Sequence, residues 1–236
     1  MKLAILTHAE HPDLLDTMPS VWPEYMRHDP VLTTFWSRLY ELYPDFQLWV
    51  VDRDARRATV GYACTLPVHW DGEPSPRGID WAMSNGAAGE PTVLCEVVVG
   101  VVPEYRGKGL SEAIIRRMGS IADAHGLGAL ISPARPTWKE RYPLTPIESY
   151  VTWRRGDGLH YDPWLRTHER LGAEILGPAG RSLTVAGTRA EWEEWTELQF
   201  PEDGDYVVPG GLAPVRFEGG RGVYVEPGVW MVHRAD

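Results

Sequence analysis

The chain has 236 residues, of which 43% are hydrophobic and 24% charged, so it is large enough for a packed core and short enough for one domain. Its formal net charge of −10 and pI near 5.3 argue against general binding to nucleic acids or anionic membranes, which favour a basic surface. The two cysteines, Cys64 and Cys95, lie in apolar segments without zinc-ligand spacing, which argues against a disulfide scaffold or a zinc site.

The first part of the chain predicts a strand, two helical segments and a hairpin. The apolar run 3–6 predicts the strand and is too short for a signal peptide or membrane span, so we expect a cytoplasmic protein. Helical segments near 12–27 and 31–43 follow, each with an aspartate near its start. The β-rich runs 46–51 and 58–66 predict the hairpin.

A valine-rich strand is predicted near the middle of the chain. Residues 70–91, rich in Gly, Pro and Ser, show no periodicity and suit a substrate-binding lid as well as a passive loop. The next run, 92–102, is almost continuously apolar, which is typical of a strand covered on both faces.

The segment that follows, residues 101–111 (VVPEYRGKGLS), has the composition of a phosphate-binding loop between a strand and a helix. Gly107 and Gly109 allow an anion to approach the unpaired N–H groups at the helix N-terminus, where the helix dipole adds positive partial charge. Arg106 and Lys108 add two full positive charges. We therefore predict a phosphate site here.

A helix, a strand and an irregular insertion come next. The helix from Leu110 carries an apolar stripe and ends at Gly126, and the run 129–132 predicts a short strand. Residues 133–160 contain cations that could reach a ligand phosphate or the acceptor, although a solvated loop is the ordinary expectation for such residues.

The remaining elements complete a mixed α/β order. Asp162 caps a helix that ends at Gly172, and the runs 173–176 and 182–186 predict strands. This order predicts a mixed sheet with helices on its faces. Residues 188–236, with a short helix and four strand-like runs, are predicted to be an appendage packed on that core and to form a single structural unit with it.

Two segments resemble the GNAT superfamily of acyl-CoA-dependent N-acyltransferases. The dinucleotide and Walker motifs do not fit the loop, because Glu112 and Gly109 stand where they need glycine and Ser or Thr. The pattern R-x-x-G-x-S at 106–111, after V-x-P, resembles the family's motif A, whose amides bind the coenzyme A pyrophosphate; serine replaces the usual final glycine or alanine. Residues 162–173 (DPWLRTHERLGA) resemble the family's late helix.

The resemblance covers roughly residues 1–187 and implies a GNAT-like fold. Such a fold has a central, mixed, mostly antiparallel sheet flanked by helices, here with residues 188–236 as a β-rich C-terminal extension. It implies acetyl-CoA as co-substrate, no metal, and a valine strand that splays from its neighbour, with a bulge that Gly100 would suit. The residues it assigns to coenzyme A are Val99, Val101, Arg106, Gly107, Lys108, Gly109, Leu110, Ser111 and Asp162.

Glu96 and His168 are the candidate catalytic residues. Glu96 is an acid in an apolar run, so desolvation should raise its pKa toward that of a general base; a structural ion pair is the alternative. Because side chains alternate between the two faces of a strand, Glu96 should share a face with Val98 and Gly100, unless a bulge exchanges the faces downstream. His168 stands where the family's helix carries the tyrosine that protonates the departing thiolate, and histidine can donate or accept a proton near neutrality; packing within the helix is the alternative.

The predicted function is transfer of an acetyl or other short acyl group from acyl-CoA to a primary amine of a small molecule, in a ternary complex. The acidic charge favours a cationic acceptor, and nucleic acid or membrane partners are not expected. Two alternatives stay open: a non-catalytic acyl-CoA sensor, which His168 in place of tyrosine favours, and an acyl-CoA decarboxylase or hydrolase. The sequence does not decide between a monomer and a homodimer.

Overall fold

The structure is a computed structural model that describes residues 2–55, 58–85 and 88–234. Its strands are β1 (Leu3–Thr7), β2 (Gln47–Asp52), β3 (Ala58–Val68), β4 (Val93–Val101), β5 (Ala129–Ala134), β6 (Glu174–Thr188), β7 (Gly204–Tyr206), β8 (Val215–Glu218) and β9 (Arg221–Arg234). Its α-helices are α1 (Pro30–Leu42), α2 (Gly78–Asn85), α3 (Leu110–Ala124), α4 (Ile147–Tyr150), α5 (Pro163–Arg170) and α6 (Arg189–Thr196).

The described strands form one mixed, mostly antiparallel sheet, as predicted. Their order is β1-β2-β3-β4-β5-β9-β8-β7, and β6 also pairs with β9. Only the β4–β5 pair is parallel among the strand pairs of the described residues. One hydrophobic cluster packs α1 and α2 on one face of the sheet, and another packs α3 and the ends of α5 on the opposite face.

Helix α3 has the buried apolar stripe that the sequence predicts. Its apolar stripe, Leu110, Ile114, Met118 and Ile121, is buried against the sheet. No side chain caps its N-terminus, because the N-cap residue is Gly109, in the left-handed conformation at φ 78°. The first-turn N–H groups of α3 are therefore left for another acceptor.

Two predictions of local structure in the first half are wrong. Residues 12–27 do not form a continuous helix but two short 3-10 segments, Pro12–Thr17 and Glu24–His28, because prolines separate them. The stretch 70–91 contains α2, whose residues are buried on several sides and so lack a clear helical period. Residues 86 and 87 of that stretch lie outside the described residues.

The C-terminal segment completes the sheet and is not an appendage on a finished core. Strand β9 lies between β5 and β8 and pairs along its length with β6, so a boundary between residues 187 and 188 would cut one sheet. The glycines and prolines of β6 that resemble loop signals accompany register shifts within one long strand, which is why the runs 173–176 and 182–186 predict two strands where β6 is continuous.

Both cysteines are free and buried in the sheet. Burial raises the pKa of the Cys64 thiol to about 12 and that of Cys95 well above its usual range, so both are unreactive packing residues. Among the helices of the described residues, none is both long and apolar enough to cross a membrane.

Candidate active site

A cleft opens where β4 and β5 separate. The two strands pair only through Leu94 with Leu130 and Cys95 with Ile131, although β4 continues to Val101 and β5 to Ala134. A cavity of about 830 Å³ occupies this gap and is lined by residues from both faces of the sheet. The splay implied by the family resemblance is confirmed, and it creates a passage through the sheet.

A bulge in β4 sets which side chains face the cleft. Cys64 of β3 pairs with Val98, and the next residue, Thr65, pairs with Glu96, so Val97 is the extra residue. Val97 and Val98 both pack on the α1–α2 side, whereas Val99 packs on the α3 side. The bulge thus exchanges the faces downstream of Glu96.

The bulge was expected at Gly100, and that position was wrong. Gly100 is needed for close packing instead, since a Cβ there would lie 2.6 Å from the Tyr62 ring and 2.9 Å from Val21. Gly100 also lines the cavity, so its missing side chain leaves room in the cleft.

The loop 106–111 presents a row of backbone N–H donors to the outside of the helix terminus. Gly107 and Gly109 have φ angles of 73° and 78°, which L side chains rarely adopt, and a Cβ on either would meet no atom within 4 Å. Within the described residues, the N–H groups of 107–112 have no hydrogen-bond acceptor, and the first bond of α3 runs from Ala113 N to Gly109 O. Such a row at a helix N-terminus fits a phosphate.

The side chains of the loop divide between the cleft and its outer edge. Arg106 and Ser111 line the cavity, and Arg106 Nε donates to Val101 O at 3.1 Å. Lys108 is turned aside: its Nζ lies 4.6 Å from the ring centroid of Tyr105. Arg106 and the backbone are therefore better placed than Lys108 to meet an anion in the cleft.

The free amides of β4 also face this opening. Val102 N donates to Val60 O of the β3 side, and successive N–H groups along a strand alternate in direction. The N–H groups of Val99 and Val101 consequently point toward β5, beyond the last β4–β5 pair. The edge of β4 beyond Cys95 therefore offers backbone donors to the cleft.

Asp162 lies behind the cavity wall and not on it. Its fully buried carboxylate accepts hydrogen bonds from five donors: Thr137 N, Trp138 N, Trp164 N, Leu165 N and the Tyr150 hydroxyl. These bonds cap α5 and anchor the insertion 133–160. With its acceptor capacity used in this way, the carboxylate has a structural role, and the coenzyme-binding role of Asp162 stays a prediction.

Glu96 presents a buried carboxyl group to the cavity. It is 4% exposed, and its Oε2 has no hydrogen-bond partner among the described residues. Burial raises the pKa of Glu96 to about 8; the Ser132 hydroxyl opposes this shift but lies outside hydrogen-bonding geometry. The predicted desolvation of this acid is confirmed, and its pKa suits proton exchange near neutral pH.

His168 lies behind Glu96, on the side away from the cavity. Its side chain is fully buried, with Nε2 3.8 Å from Glu96 Oε2 and Nδ1 2.9 Å from Nε2 of His233 on β9. Burial lowers the pKa of His168 to about 3, with the nearby His233 adding to this effect. Any proton that His168 exchanges with the cleft would pass through Glu96.

A second buried cluster, which the sequence did not predict, borders the cavity. Arg135 lines the cavity and donates through Nε to Glu226 of β9 and through Nη2 to Gly210 O. Lys139 was expected in a solvated loop, yet it is 1% exposed and donates to the carbonyls of Tyr142 and Leu212. The sequence carries no signal for the role of Glu226, because apolar residues both precede and follow it along β9.

Comparison with known proteins identifies the family. No protein-family model matches the chain. The arginine N-acetyltransferase avaD of Aspergillus versicolor is 30% identical over an alignment 270 positions long, which covers 98% of this chain and 93% of that protein. The chain belongs to the GNAT superfamily of acyl-CoA-dependent N-acyltransferases.

Solved structures agree with this GNAT fold. The loading GNATL domain of CurA from Lyngbya majuscula has a TM-score of 0.67 at 16% identity, covering 99% of this chain and 98% of that domain. The GphF GNAT-like decarboxylase in complex with isobutyryl-CoA has a TM-score of 0.59 at 16% identity, with 99% of each chain covered. At these identities the likeness concerns the fold alone, including the segment 188–236.

The GNAT cleft described here fits coenzyme A as a co-substrate. The free N–H groups of 107–112, the open space over two glycines and Arg106 match a diphosphate, and the splayed strands match a pantetheine arm. Within residues 2–55, 58–85 and 88–234, no group of three or more His, Cys, Asp or Glu side chains could hold a metal ion.

Proposed function

We propose that this GNAT protein transfers an acetyl group from acetyl-CoA to a primary amine of a small molecule by direct attack in a ternary complex. The observation that carries the proposal is Glu96, a buried acid with a pKa near 8 that opens on the cavity where β4 and β5 part. The Glu96 side chain points toward α5, on the same side of the sheet as the loop 106–111, so an amine that enters from the opposite face would reach it through the passage between β4 and β5.

The reaction releases one proton to the solvent. An acceptor R–NH3⁺ first loses a proton to Glu96, and the neutral amine then forms the N–C bond with the thioester carbonyl. The C–S bond breaks, and the second N–H proton ends on the coenzyme A thiol. The products are the amide, the free thiol and one proton, which must leave through Glu96.

The backbone donors supply binding and charge stabilisation. The loop 106–111 would hold the diphosphate, and the N–H groups of Val99 and Val101 would hold the pantetheine arm and stabilise the negative charge that develops on the carbonyl oxygen. These donors are fixed by the strand and helix, so they need no reorganisation when the charge appears.

His168 and His233 provide a route by which Glu96 can lose its proton. The three side chains follow one another from the cavity inward: Glu96 lies next to His168, and His168 lies next to the half-buried His233. Because burial lowers the pKa of His168 to about 3, His168 does not hold a second proton, and it would take the Glu96 proton at Nε2 only while giving its Nδ1 proton to His233. The Leu171 carbonyl beside His233 favours a donating ring there, which leaves His233 Nε2 able to accept that proton. In the opposite tautomer, His168 Nε2–H faces an ionised Glu96 and stabilises it.

This arrangement predicts the behaviour of His233 variants. We expect His233→Gln to lower kcat by about 100-fold, the lower end of the contribution of proton transfer, and to shift the acidic limb of the pH profile. Glutamine retains a hydrogen-bonding group but cannot pass a proton along. Added imidazole should partly restore the rate of His233→Ala, because the histidine site is half-buried and reachable from solvent.

The matched control is His69→Gln on an exposed loop residue distant from this line. Its rate and pH profile should match those of the unsubstituted protein. If His233→Gln also keeps both, or if it loses activity without any change in the pH profile, His233 does not carry the proton.

An acceptor panel tests the proposed function. Because a relative is an arginine N-acetyltransferase, the panel should contain L-arginine, L-lysine, their decarboxylated amines, polyamines and an aromatic amine. Coenzyme A release that depends on the amine, with the acetylated product found by mass spectrometry, is the expected result. Binding without release would indicate a sensor, and release of coenzyme A or of CO2 from malonyl-CoA without an amine would indicate a hydrolase or decarboxylase.

A further inference from the structure

The charged cluster beside the cavity contains more positive than negative groups. Arg135 and Lys139 are its cations, and Glu226 is the one carboxylate bonded to it among the described residues. Glu226 is 1% exposed and also accepts a hydrogen bond from the Tyr224 hydroxyl. Burial lowers the pKa of Lys139 to about 8, so below that pH the cluster carries one unbalanced positive charge, which attracts an anion to whichever of its cations is accessible.

Arg135 is the accessible cation. Its side chain is 24% exposed and lines the cavity, whereas Lys139 is 1% exposed. The bonds from Nε to Glu226 and from Nη2 to Gly210 O fix the plane of the guanidinium, and Nη1 has no acceptor among the described residues. A guanidinium held in this way is prepared to donate to a carboxylate without losing side-chain freedom.

The position of Arg135 places it at the acceptor end of the cavity. It contacts Gly210 and lies near Tyr25, both on the α1–α2 side of the sheet, while the loop 106–111 lies at the N-terminus of α3 on the opposite side. The diphosphate of coenzyme A therefore has its own donors elsewhere. The other acids on the cavity wall, Glu24 and Glu140, are exposed and well screened by solvent.

We propose that Arg135 binds a carboxylate of the acceptor, so that the acceptor is an amino acid or another amine bearing a carboxylate. The assignment rests on the proposed N-acetyl transfer and specifies its substrate class. Arg135 directly follows β5, which ends at Ala134, and Ser132 of that strand lies near Glu96, so the carboxylate and the amine of one small acceptor would meet the same cavity wall.

The test compares acceptors that differ only in the carboxylate. We expect kcat/KM for L-arginine to exceed that for L-argininamide and for agmatine by about 10- to 100-fold, the range of one charge-assisted hydrogen-bonded pair. The double variant Arg135→Met, Glu226→Gln should bring the ratio close to 1, because it removes the guanidinium without leaving an unpaired buried carboxylate. Arg135→Lys should give an intermediate ratio, because lysine keeps the charge but not the fork.

The outcomes separate this proposal from the proposed function. If L-arginine and its amide are acetylated equally well, or if the double variant keeps the preference, Arg135 does not bind the carboxylate although the transferase activity stands. If neither is acetylated, the same pair is titrated calorimetrically against the protein saturated with coenzyme A. Tighter binding of L-arginine that the double variant loses would support the carboxylate site, and equal or absent binding would overturn it.

Discussion

Replacing Glu96 by glutamine is expected to lower kcat by about 100- to 10,000-fold while leaving the affinity for acetyl-CoA almost unchanged. Glutamine fills the same space but cannot accept the amine proton. In the unsubstituted protein the rate should rise with pH through about 8, because Glu96 acts as a base only when ionised. The pH profile of the variant should lack the rise caused by ionisation of Glu96. It should keep only the rise caused by deprotonation of the acceptor amine, which occurs with both proteins.

The same variant has a readout that does not depend on activity. A carboxyl group whose pKa is raised to about 8 in the folded protein stabilises the fold when protonated, and this contribution is lost as the pH rises from about 4.5 through 8. Over this window the free energy of unfolding of the unsubstituted protein should fall relative to that of Glu96→Gln, by up to about 1.4 kcal/mol per pH unit. Parallel stability curves, together with a retained acidic limb, would show that Glu96 is not the base.

Replacing Asp162 by alanine is expected to lower the free energy of unfolding by about 3 kcal/mol or more. The change removes the cap of α5 and leaves five donors of the interior without an acceptor. Urea unfolding measures the loss directly. Asp162→Asn keeps one acceptor oxygen, so its loss should be smaller and the variant should remain folded.

Thr188→Ala is the matched control for this prediction. Thr188 caps α6 through a capping box but is exposed, so its removal should cost only about 1 kcal/mol. The two losses differ because water replaces the lost partner at Thr188 and cannot do so at Asp162. If Asp162→Asn instead weakens binding of acetyl-CoA tenfold without loss of stability, Asp162 belongs to the coenzyme site.

The features that could be predicted from the sequence are those coded by neighbouring residues. The loop 106–111 is a local signal, because glycines, cations and a helix start stand within six positions. The cap at Asp162 is recognisable in the sequence because an aspartate is followed directly by a proline, which suits the first position of a helix. The high pKa of Glu96 follows from the apolar strand around it, whatever the strand contacts.

Two contacts of the site that the sequence did not predict, His168 with His233 and Arg135 with Glu226, share a single cause, the placement of β9. His233 lies 65 residues from His168, and Glu226 lies 91 residues from Arg135. Both contacts exist only because β9 lies beside β5, and the glycines and prolines of β6 and β9 concealed these long strands. A segment predicted to be an appendage therefore supplies partners for both buried clusters of the site.

Calorimetric titration with coenzyme A and acetyl-CoA tests most directly whether the loop 106–111 holds a diphosphate. We expect both to bind, and Ser111→Glu to weaken binding by roughly 100-fold, because it adds a negative charge beside the diphosphate while still favouring the N-terminus of α3. Ser120→Glu makes the same change on an exposed turn of the same helix and should leave binding unchanged. No uptake of either compound by the folded protein, or equal binding by all three forms, would contradict the assignment.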